Sequence, residues 1–250
     1  MAAESGSFSP SSLSKVSAWL RHTQTSLGLA QWTSMLDGNH ATQATGARQP
    51  TAGTSATNAR PISTWVSANN SAMVFPLSAS TNGATKVGFA THIRQPTSAN
   101  EAIVIIGPGT NGASGMKFRF FTQTSRRLMV DAFLNNTDGR RATTAVNALP
   151  AAGTWAFVLG FFDGDGATET DEFQIWIDGV QQGSLVMSNL GAGGDVETMP
   201  TPTLNGVIGN INDGVSSLGF NGDKGQNMYS FSSLPTAQEQ VLLSNFERPT

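Results

Sequence analysis

The chain is 250 residues long, which suits one large β-sandwich as well as two ordinary domains. Charged residues make up only 12% of it, about half the usual share for soluble domains, and the net charge is −3. The longest runs of basic residues are the pairs Arg126-Arg127 and Arg140-Arg141. A nucleic-acid partner would need a larger basic surface, so none is predicted. No apolar run approaches the length of a membrane span, so no membrane partner is predicted either. The absence of cysteine excludes disulfides and thiolate chemistry.

The N-terminus is rich in serine, and we predict a flexible arm at residues 1–12 followed by one domain at residues 13–250. The arm lacks the basic start and the apolar core of a secretory signal. It cannot bury enough apolar surface to become ordered by itself, but Phe8 could anchor it on a partner. A frayed terminus is the alternative interpretation.

Short strand-like runs separated by Gly, Asn, Asp and Pro begin near Leu13, as is typical of a sandwich. Larger and smaller residues alternate from Val87 to Ile93, which predicts a strand with one buried face. Asp178-Gly179 separates the run Phe173–Ile177 from Val180 and has the residue types of a tight hairpin turn. Further strands are predicted at residues 102–106, 116–123, 128–133, 155–162, 185–187 and 204–208.

One helix is predicted, at the C-terminus. Thr236 and Glu239 have the spacing of a capping box. The apolar stripe predicted to bury this helix consists of Val241, Leu242, Leu243 and Phe246. Because no helix alternates with the strands, the sequence predicts an all-β fold, a two-sheet antiparallel jelly-roll sandwich with one short C-terminal helix.

Three segments carry recognisable patterns in a fixed order. Residues 13–51 contain Trp-Leu, a second Trp, Asn-x-Ala-x-Gln-Ala and Gln-Pro-Thr. Residues 154–184 contain an acidic turn and then Ile-Trp-Ile-Asp-Gly-Val. Residues 204–247 contain Phe-Asn-Gly and a helix headed by Leu-Pro-Thr. Together they resemble the concanavalin A-like, laminin G-like jelly-roll superfamily, in the form seen in bacteriophage virion proteins. This fold hosts lectins, glucanases, adhesion modules and virion parts, so the resemblance implies a fold more than a function.

Glucanases of the resembled fold place catalytic carboxylates on one strand, in a Glu-x-Asp-x-x-Glu arrangement. The nearest match here has Glu169 and Asp171, but Gln174 stands where the second glutamate is required. An amide cannot donate the catalytic proton. The sequence therefore predicts no catalytic residues and a protein that is not an enzyme.

The acidic turn Asp163-Gly164-Asp165-Gly166 could bind calcium through carboxylate oxygens, and Asp213 and Asp223 from other loops could join it. A solvated hairpin loop is the favoured interpretation, because Asp and Gly also suit turn geometry. The three histidines, His22, His40 and His92, lack metal-ligand spacing. We therefore predict no metal and no cofactor.

Trp32 is predicted to lie in a loop, where an aromatic ring could stack on a sugar or anchor a partner. Core packing is the favoured alternative, and the residues that bind any ligand are not predicted. The preferred function is a non-enzymatic bacteriophage virion protein, either a capsid decoration protein or a head or tail fibre component. Its partners would be capsid or other virion proteins and further copies of itself in a symmetric homo-oligomer. Its location would be the virion, after assembly in the host cytoplasm. The alternative is a module that binds a surface glycan or adheres to the host surface.

Overall fold

The computed structural model describes residues 8–13, 15–76, 84–95, 97, 99–107, 118–134, 138–193, 205–210 and 218–250. The strands found there are β1 Val16–Arg21, β2 Gln31–Ser34, β3 Ala41–Thr42, β4 Thr51–Thr54, β5 Pro61–Trp65, β6 Met73–Phe75, β7 Lys86–Arg94, β8 Glu101–Ile106, β9 Phe118–Gln123, β10 Arg127–Phe133, β11 Gly139–Thr143, β12 Ala156–Asp163, β13 Phe173–Ile177, β14 Val180–Gln181, β15 Val186–Leu190, β16 Gly206–Ile208 and β17 Gly222–Phe231. The α-helices found there are α1 Glu169–Glu172 and α2 Ala237–Asn245. The 3-10 helices found there are Pro10–Ser12, Gly46–Arg48 and Ser67–Asn69.

The strands form two antiparallel sheets that face each other. In the first sheet, β17 pairs with β1 and β5 along one edge and with β7 along the other, and the sheet continues through β12, β13 and β14. In the second, the order is β2-β3-β6-β16-β8-β9-β10-β11-β15. Strand β2 also pairs with β1, so it joins the two sheets at one edge. The predicted all-β jelly-roll sandwich is confirmed.

The main core lies between the sheets and follows the predicted alternation. Val87, Phe89 and Ile93 of β7 point into it, while Ala90 points to the opposite face. Phe118 and Phe120 of β9 meet them from the second sheet. The predicted residues 116, 117 and 204 lie outside the described ranges. Among the described residues, no helix is long and apolar enough to cross a membrane.

The predicted Asp178-Gly179 turn is confirmed in its backbone geometry. Both residues have positive φ, 49° for Asp178 and 78° for Gly179, as the tight hairpin between β13 and β14 requires. The Asp178 carboxylate also accepts a hydrogen bond from the Phe157 N–H at 2.9 Å. This contact ties the hairpin to β12, the neighbouring strand of the same sheet.

A second apolar cluster covers the outer face of the first sheet, beneath helix α2. The capping box is present: Thr236 Oγ1 accepts from the Glu239 N–H, and the Glu239 carboxylate accepts from the Thr236 N–H at 2.7 Å. Leu243 is fully buried against this sheet, so the predicted docking of the helix is confirmed. The predicted stripe was wrong in part. Val241 and Leu242 are 46% and 40% exposed, because the face turned to the sheet carries Gln240, Leu243 and Ser244.

Candidate functional site

The carboxylates weighed for glycoside hydrolysis do not alternate along one strand. Glu169 and Asp171 belong to the single turn of α1, whereas Gln174 lies on β13. The Asp171 carboxylate accepts a hydrogen bond from Thr168 Oγ1 at 2.7 Å, in a local turn contact. Gln174 faces Gln181 across the hairpin, with their amides 3.4 Å apart. This arrangement differs from the one-strand geometry that a glucanase of this fold needs.

The acidic turn considered for calcium is occupied by a lysine side chain. The Lys86 ammonium lies 3.0 Å from Asp163 Oδ2 and 3.3 Å from Asp165 Oδ2, where a cation would otherwise bind. Asp223 cannot join these carboxylates, because it pairs with Arg94 at the far end of β7. Lys86 and Arg94 are eight strand residues apart, or about 26 Å at the usual rise. Asp213 is outside the described residues. Among the residues that are described, no group of three or more His, Asp or Glu side chains could hold a metal ion.

The three histidines lie in separate environments. His40 accepts a hydrogen bond from the Ser34 N–H through Nδ1 at 2.9 Å, inside the turn that follows β2. His92 Nε2 donates to the Ser244 carbonyl at 2.8 Å and so ties β7 to helix α2. Burial lowers the pKa of His92 to about 4, partly opposed by that hydrogen bond. Both residues have structural roles, as the sequence interpretation favoured.

Trp32 belongs to the core rather than to a ligand site. It lies on β2 and is fully buried, so its prediction as a loop residue was wrong and its favoured core packing is confirmed. Its indole stacks on the His22 ring at 5.3 Å and meets the Trp65 ring edge-on at 6.2 Å. Exposed aromatic stacking on a sugar is therefore not available at Trp32.

An open groove of about 450 Å³ lies on the outside of the β1–β2 hairpin. It is a feature that the sequence interpretation missed. The residues lining it are Arg21, His22, Thr23, Gln24, Gln31, Thr33 and Met35. Gln31 and Thr33 face outward because they alternate with buried Trp32 and Ser34 along β2. This alternation of exposed and buried residues along β2 was the available signal, because it predicts a strand rather than a loop at Trp32.

The groove is rich in neutral hydrogen-bonding groups. Hydroxyls from Thr23 and Thr33 and amides from Gln24 and Gln31 all donate and accept, which matches the capacity of sugar hydroxyls. Met35 is 45% exposed and adds an apolar contact at the same wall. The volume of the groove lies in the range usual for small-ligand sites. Two further cavities of about 30 Å³ and 10 Å³ hold no more than water.

His22 forms the buried floor of this groove. It is only 4% exposed, and neither ring nitrogen has a hydrogen-bond partner of normal geometry. Burial lowers its pKa to about 4, the backbone of Gln24 opposes this, and the Arg21 charge adds to it. The ring is therefore neutral at neutral pH, and its stacking on Trp32 makes a rigid base for the groove.

Arg21 supplies the positive charge of the groove wall. Its guanidinium binds the Glu247 carboxylate, and Arg60 lies 3.8 Å from the same carboxylate oxygen. The second oxygen of Glu247 accepts from the Asn227 amide at 3.1 Å. No local sequence pattern predicts this contact, because strands β1 and β17 must pair before residues 21, 227 and 247 meet.

A second charged cluster lies on the outer face of the other sheet. Asp131 is fully buried and binds two guanidinium groups: Arg119 Nε at 2.8 Å and Arg141 Nε, also at 2.8 Å. Directly opposed positions on β9, β10 and β11 bring the three side chains together. Phe121 and Phe133 pack on the Arg119 guanidinium, with ring centroids 5.3 Å and 4.9 Å away. This cluster is a buried ion-pair network rather than an open site.

No protein family and no curated protein matches this chain, but solved structures do. The ligand-binding domain of botulinum neurotoxin serotype D in complex with N-acetylneuraminic acid has a TM-score of 0.59 at 9% identity, over 93% of this chain and 51% of that one. A Trypanosoma rangeli sialidase in complex with sialic acid has a TM-score of 0.55 at 9% identity, over 92% and 33%. The CBM40 of a Ruminococcus gnavus sialidase bound to α2,3-sialyllactose has a TM-score of 0.50 at 10% identity, over 89% and 97%.

These similarities show the fold alone, since identities are 9–10%. The chain spans about half of the toxin domain and a third of the sialidase. The molecule is an all-β jelly-roll sandwich, so the fold class implied by the sequence resemblance is confirmed, whereas membership of the concanavalin A-like superfamily stays a prediction. The bacteriophage virion role is not tested by these similarities and stays a prediction.

Proposed function

We propose that the chain is a glycan-binding module and that the groove on the β1–β2 hairpin is its binding site. The observation that carries the proposal is the composition of the groove: four neutral hydrogen-bonding side chains surround a buried, neutral His22 floor. Such a surface can exchange its hydrogen bonds with water for bonds to sugar hydroxyls without burying an unpaired charge. Three solved structures of similar fold were determined with sialic-acid-type ligands, which supports the choice of ligand class.

Binding without hydrolysis is the second part of the proposal. None of the described residues that line the groove is Asp or Glu. Glycoside hydrolysis normally needs two carboxyl groups flanking the scissile bond. The carboxylate that contacts Arg21 of the groove wall, that of Glu247, also accepts a hydrogen bond from the Asn227 amide. We therefore propose a module that is not an enzyme.

A virion setting is compatible with this function and remains a proposal. It rests on the resemblance of residues 13–51, 154–184 and 204–247 to bacteriophage virion proteins, and on a charged fraction of only 12%. A small, polar, weakly charged surface loses little side-chain entropy in contacts between subunits. In this setting, the module would contact capsid or fibre proteins through other surfaces and leave the groove free for a host glycan.

A glycan array followed by calorimetry tests the binding function. We expect the full chain to bind a subset of glycans, and the double variant Gln31→Ala/Thr33→Ala to bind them about tenfold or more weakly, because two hydrogen bonds are removed. The matched control is Thr170→Ala/Gln181→Ala, which removes the same two residue types from exposed positions on α1 and β14. No binding by the full chain to any glycan, or equal weakening by both double variants, would refute the groove as a glycan site.

A further inference from the structure

We propose that Arg21 makes the groove selective for sugars that carry a carboxylate. This inference rests on the proposed glycan function and names its ligand class. Arg21 is the charged residue among the described residues that line the groove. A guanidinium carries five N–H donors in a planar fork that fits a carboxylate with two parallel hydrogen bonds. Its side chain is 26% exposed, while its Nε atom is buried, so a ligand would meet the Nη end of the fork.

The local charge balance leaves a positive charge at this wall. Glu247 is the carboxylate that binds Arg21, and it also attracts the Arg60 guanidinium at 3.8 Å. Two cations and one carboxylate sum to +1. A ligand carboxylate would therefore complete the cluster as a second anion, whereas a neutral sugar would leave the excess charge to solvent.

The neighbours of Arg21 hold its guanidinium in a fixed position. The Glu247 carboxylate binds it from one side, and it lies 5.9 Å from the Trp19 ring. Glu247 is fixed in turn by the Asn227 amide at 3.1 Å, and the Trp19 indole N–H donates to Asn227 Oδ1 at 2.9 Å. Binding at a preorganised cation costs less side-chain entropy than binding at a free arginine, which favours a specific anion contact.

The other arginine cluster is less suited to the same task. Asp131 between Arg119 and Arg141 is fully buried, and the Arg119 side chain is only 6% exposed. A ligand anion there would have to compete with a buried carboxylate that both guanidinium groups already bind. Arg141 of this cluster is as exposed as Arg21, at 26%, but among the described residues Arg21 is the partly exposed cation that lies beside the neutral hydrogen-bonding groups of the groove.

Lactose and 3′-sialyllactose are the probes, because they differ by one acidic sugar. Isothermal titration with the full chain at low and high salt should show at least tenfold tighter binding of 3′-sialyllactose, with the advantage shrinking as salt screens the charge. Arg21→Gln should remove this preference and leave lactose binding within about twofold. Arg21→Lys should restore part of it, since the charge returns without the planar fork. Arg126→Gln, which removes the same charge from the β9–β10 turn, is the matched control and should keep the full preference.

The outcomes separate this inference from the proposed function. If neither probe nor any arrayed glycan binds, the proposed function fails and selectivity fails with it. If both sugars bind equally, or if Arg21→Gln keeps the preference while Gln31→Ala/Thr33→Ala weakens both, the groove binds glycans but Arg21 does not select them. If Arg21→Gln lowers the melting temperature because Glu247 keeps only the more distant Arg60 as a cation partner, the double variant Arg21→Gln/Glu247→Gln gives the same comparison without that weakened ion pair.

Discussion

Phe8 and Phe246 pack edge to face, with their ring centroids 5.7 Å apart and their planes inclined by 78°. Phe246 meets the Trp19 ring in the same manner at 5.9 Å. The N-terminal segment and the end of helix α2 therefore share one apolar cluster on the outer face of the first sheet. The sequence suggested Phe8 as an anchor for a partner, and the structure places the ring on its own chain. Docking of the arm on another molecule stays a prediction.

Replacing Phe8 with alanine should destabilise the isolated protein. The ring is half-buried and makes an aromatic pair, so the expected loss is about 1–2 kcal/mol in the free energy of unfolding. Urea denaturation measures it, with exposed Ser11→Ala as the control for a change in the same segment. An unchanged midpoint would mean that Phe8 is free to serve a partner, as the sequence analysis proposed.

Helix α2 should depend on Leu243 and tolerate changes at Leu242. Leu243 is fully buried, so Leu243→Ala should cost about 2–4 kcal/mol through lost burial and the cavity left behind. Leu242 is 40% exposed, and Leu242→Ala should stay within about 1 kcal/mol. Thermal melting of the two variants gives the comparison. Equal losses would show that the helix turns a different face to the sheet in solution.

Local signals predicted most of this fold because each is read within a few residues. The Asp178-Gly179 turn needed only two residue types, and the Thr236/Glu239 capping box needed only a spacing of three. The prediction of the buried face of helix α2 was wrong for a related reason. The four apolar residues of the predicted stripe are too close together in sequence to lie on one face of a helix. The face that packs on the sheet carries Gln240 and Ser244 instead of Val241 and Leu242.

The candidate site could not be predicted, because it depends on pairings between distant strands. Arg21 and Glu247 are separated by almost the whole chain and meet only when β1 pairs with β17. The ion pairs at the acidic turn could not be predicted for the same reason. The pairing of β7 with β12 brings Lys86 to Asp163 and Asp165, and no local sequence pattern predicts these ion pairs.

Acidification from pH 6.5 to 4.5 should destabilise the protein through its buried histidines. His22 and His92 have a pKa of about 4 in the folded chain, against the usual 6.5, mainly because burial disfavours the charged ring. The unfolded state therefore binds more protons in this window, so stability is complete above pH 6.5 and is lost as pH falls towards 4. Each histidine would contribute up to about 3 kcal/mol of that loss.

Urea titrations at pH 7.5 and 4.5 check this expectation with the variant His92→Gln, whose amide can still donate to the Ser244 carbonyl. Its stability should fall less between the two pH values than that of the unmodified chain. Glu101 acts in the opposite direction, because burial raises its pKa and its protonation then favours the folded state. The carboxyls of Asp37 and Glu239, whose pKa values are lowered, contribute only below their usual range. An equal fall for variant and unmodified chain would refute the role of His92.

Lys224→Met should stabilise the protein at neutral pH. Lys224 lies on β17 and is fully buried, and its ammonium nitrogen has no hydrogen-bond partner. Burial holds its pKa well below 10.5, with the Glu101 charge opposing. As pH falls below about 10.5, Lys224 is therefore protonated in the unfolded chain before it is protonated in the folded chain. This difference in proton binding stabilises the unfolded state and lowers the free energy of unfolding at pH 7. Removing the amine should raise the free energy of unfolding by about 1–3 kcal/mol.

The effect should be largest at pH 7 and should shrink at pH 10, where the lysine of the unfolded chain is partly neutral as well. Guanidinium denaturation at both pH values measures this, with the more exposed Lys15→Met as the control that should change little. The opposing interaction is the contact of the Lys224 nitrogen with the Phe220 ring, whose centroid is 3.5 Å away, and with Trp65 at 5.4 Å. If Lys224→Met lowers stability at pH 7, these ring contacts outweigh the cost of burying the amine, and Lys224 is retained in the core as a cation held by aromatic rings.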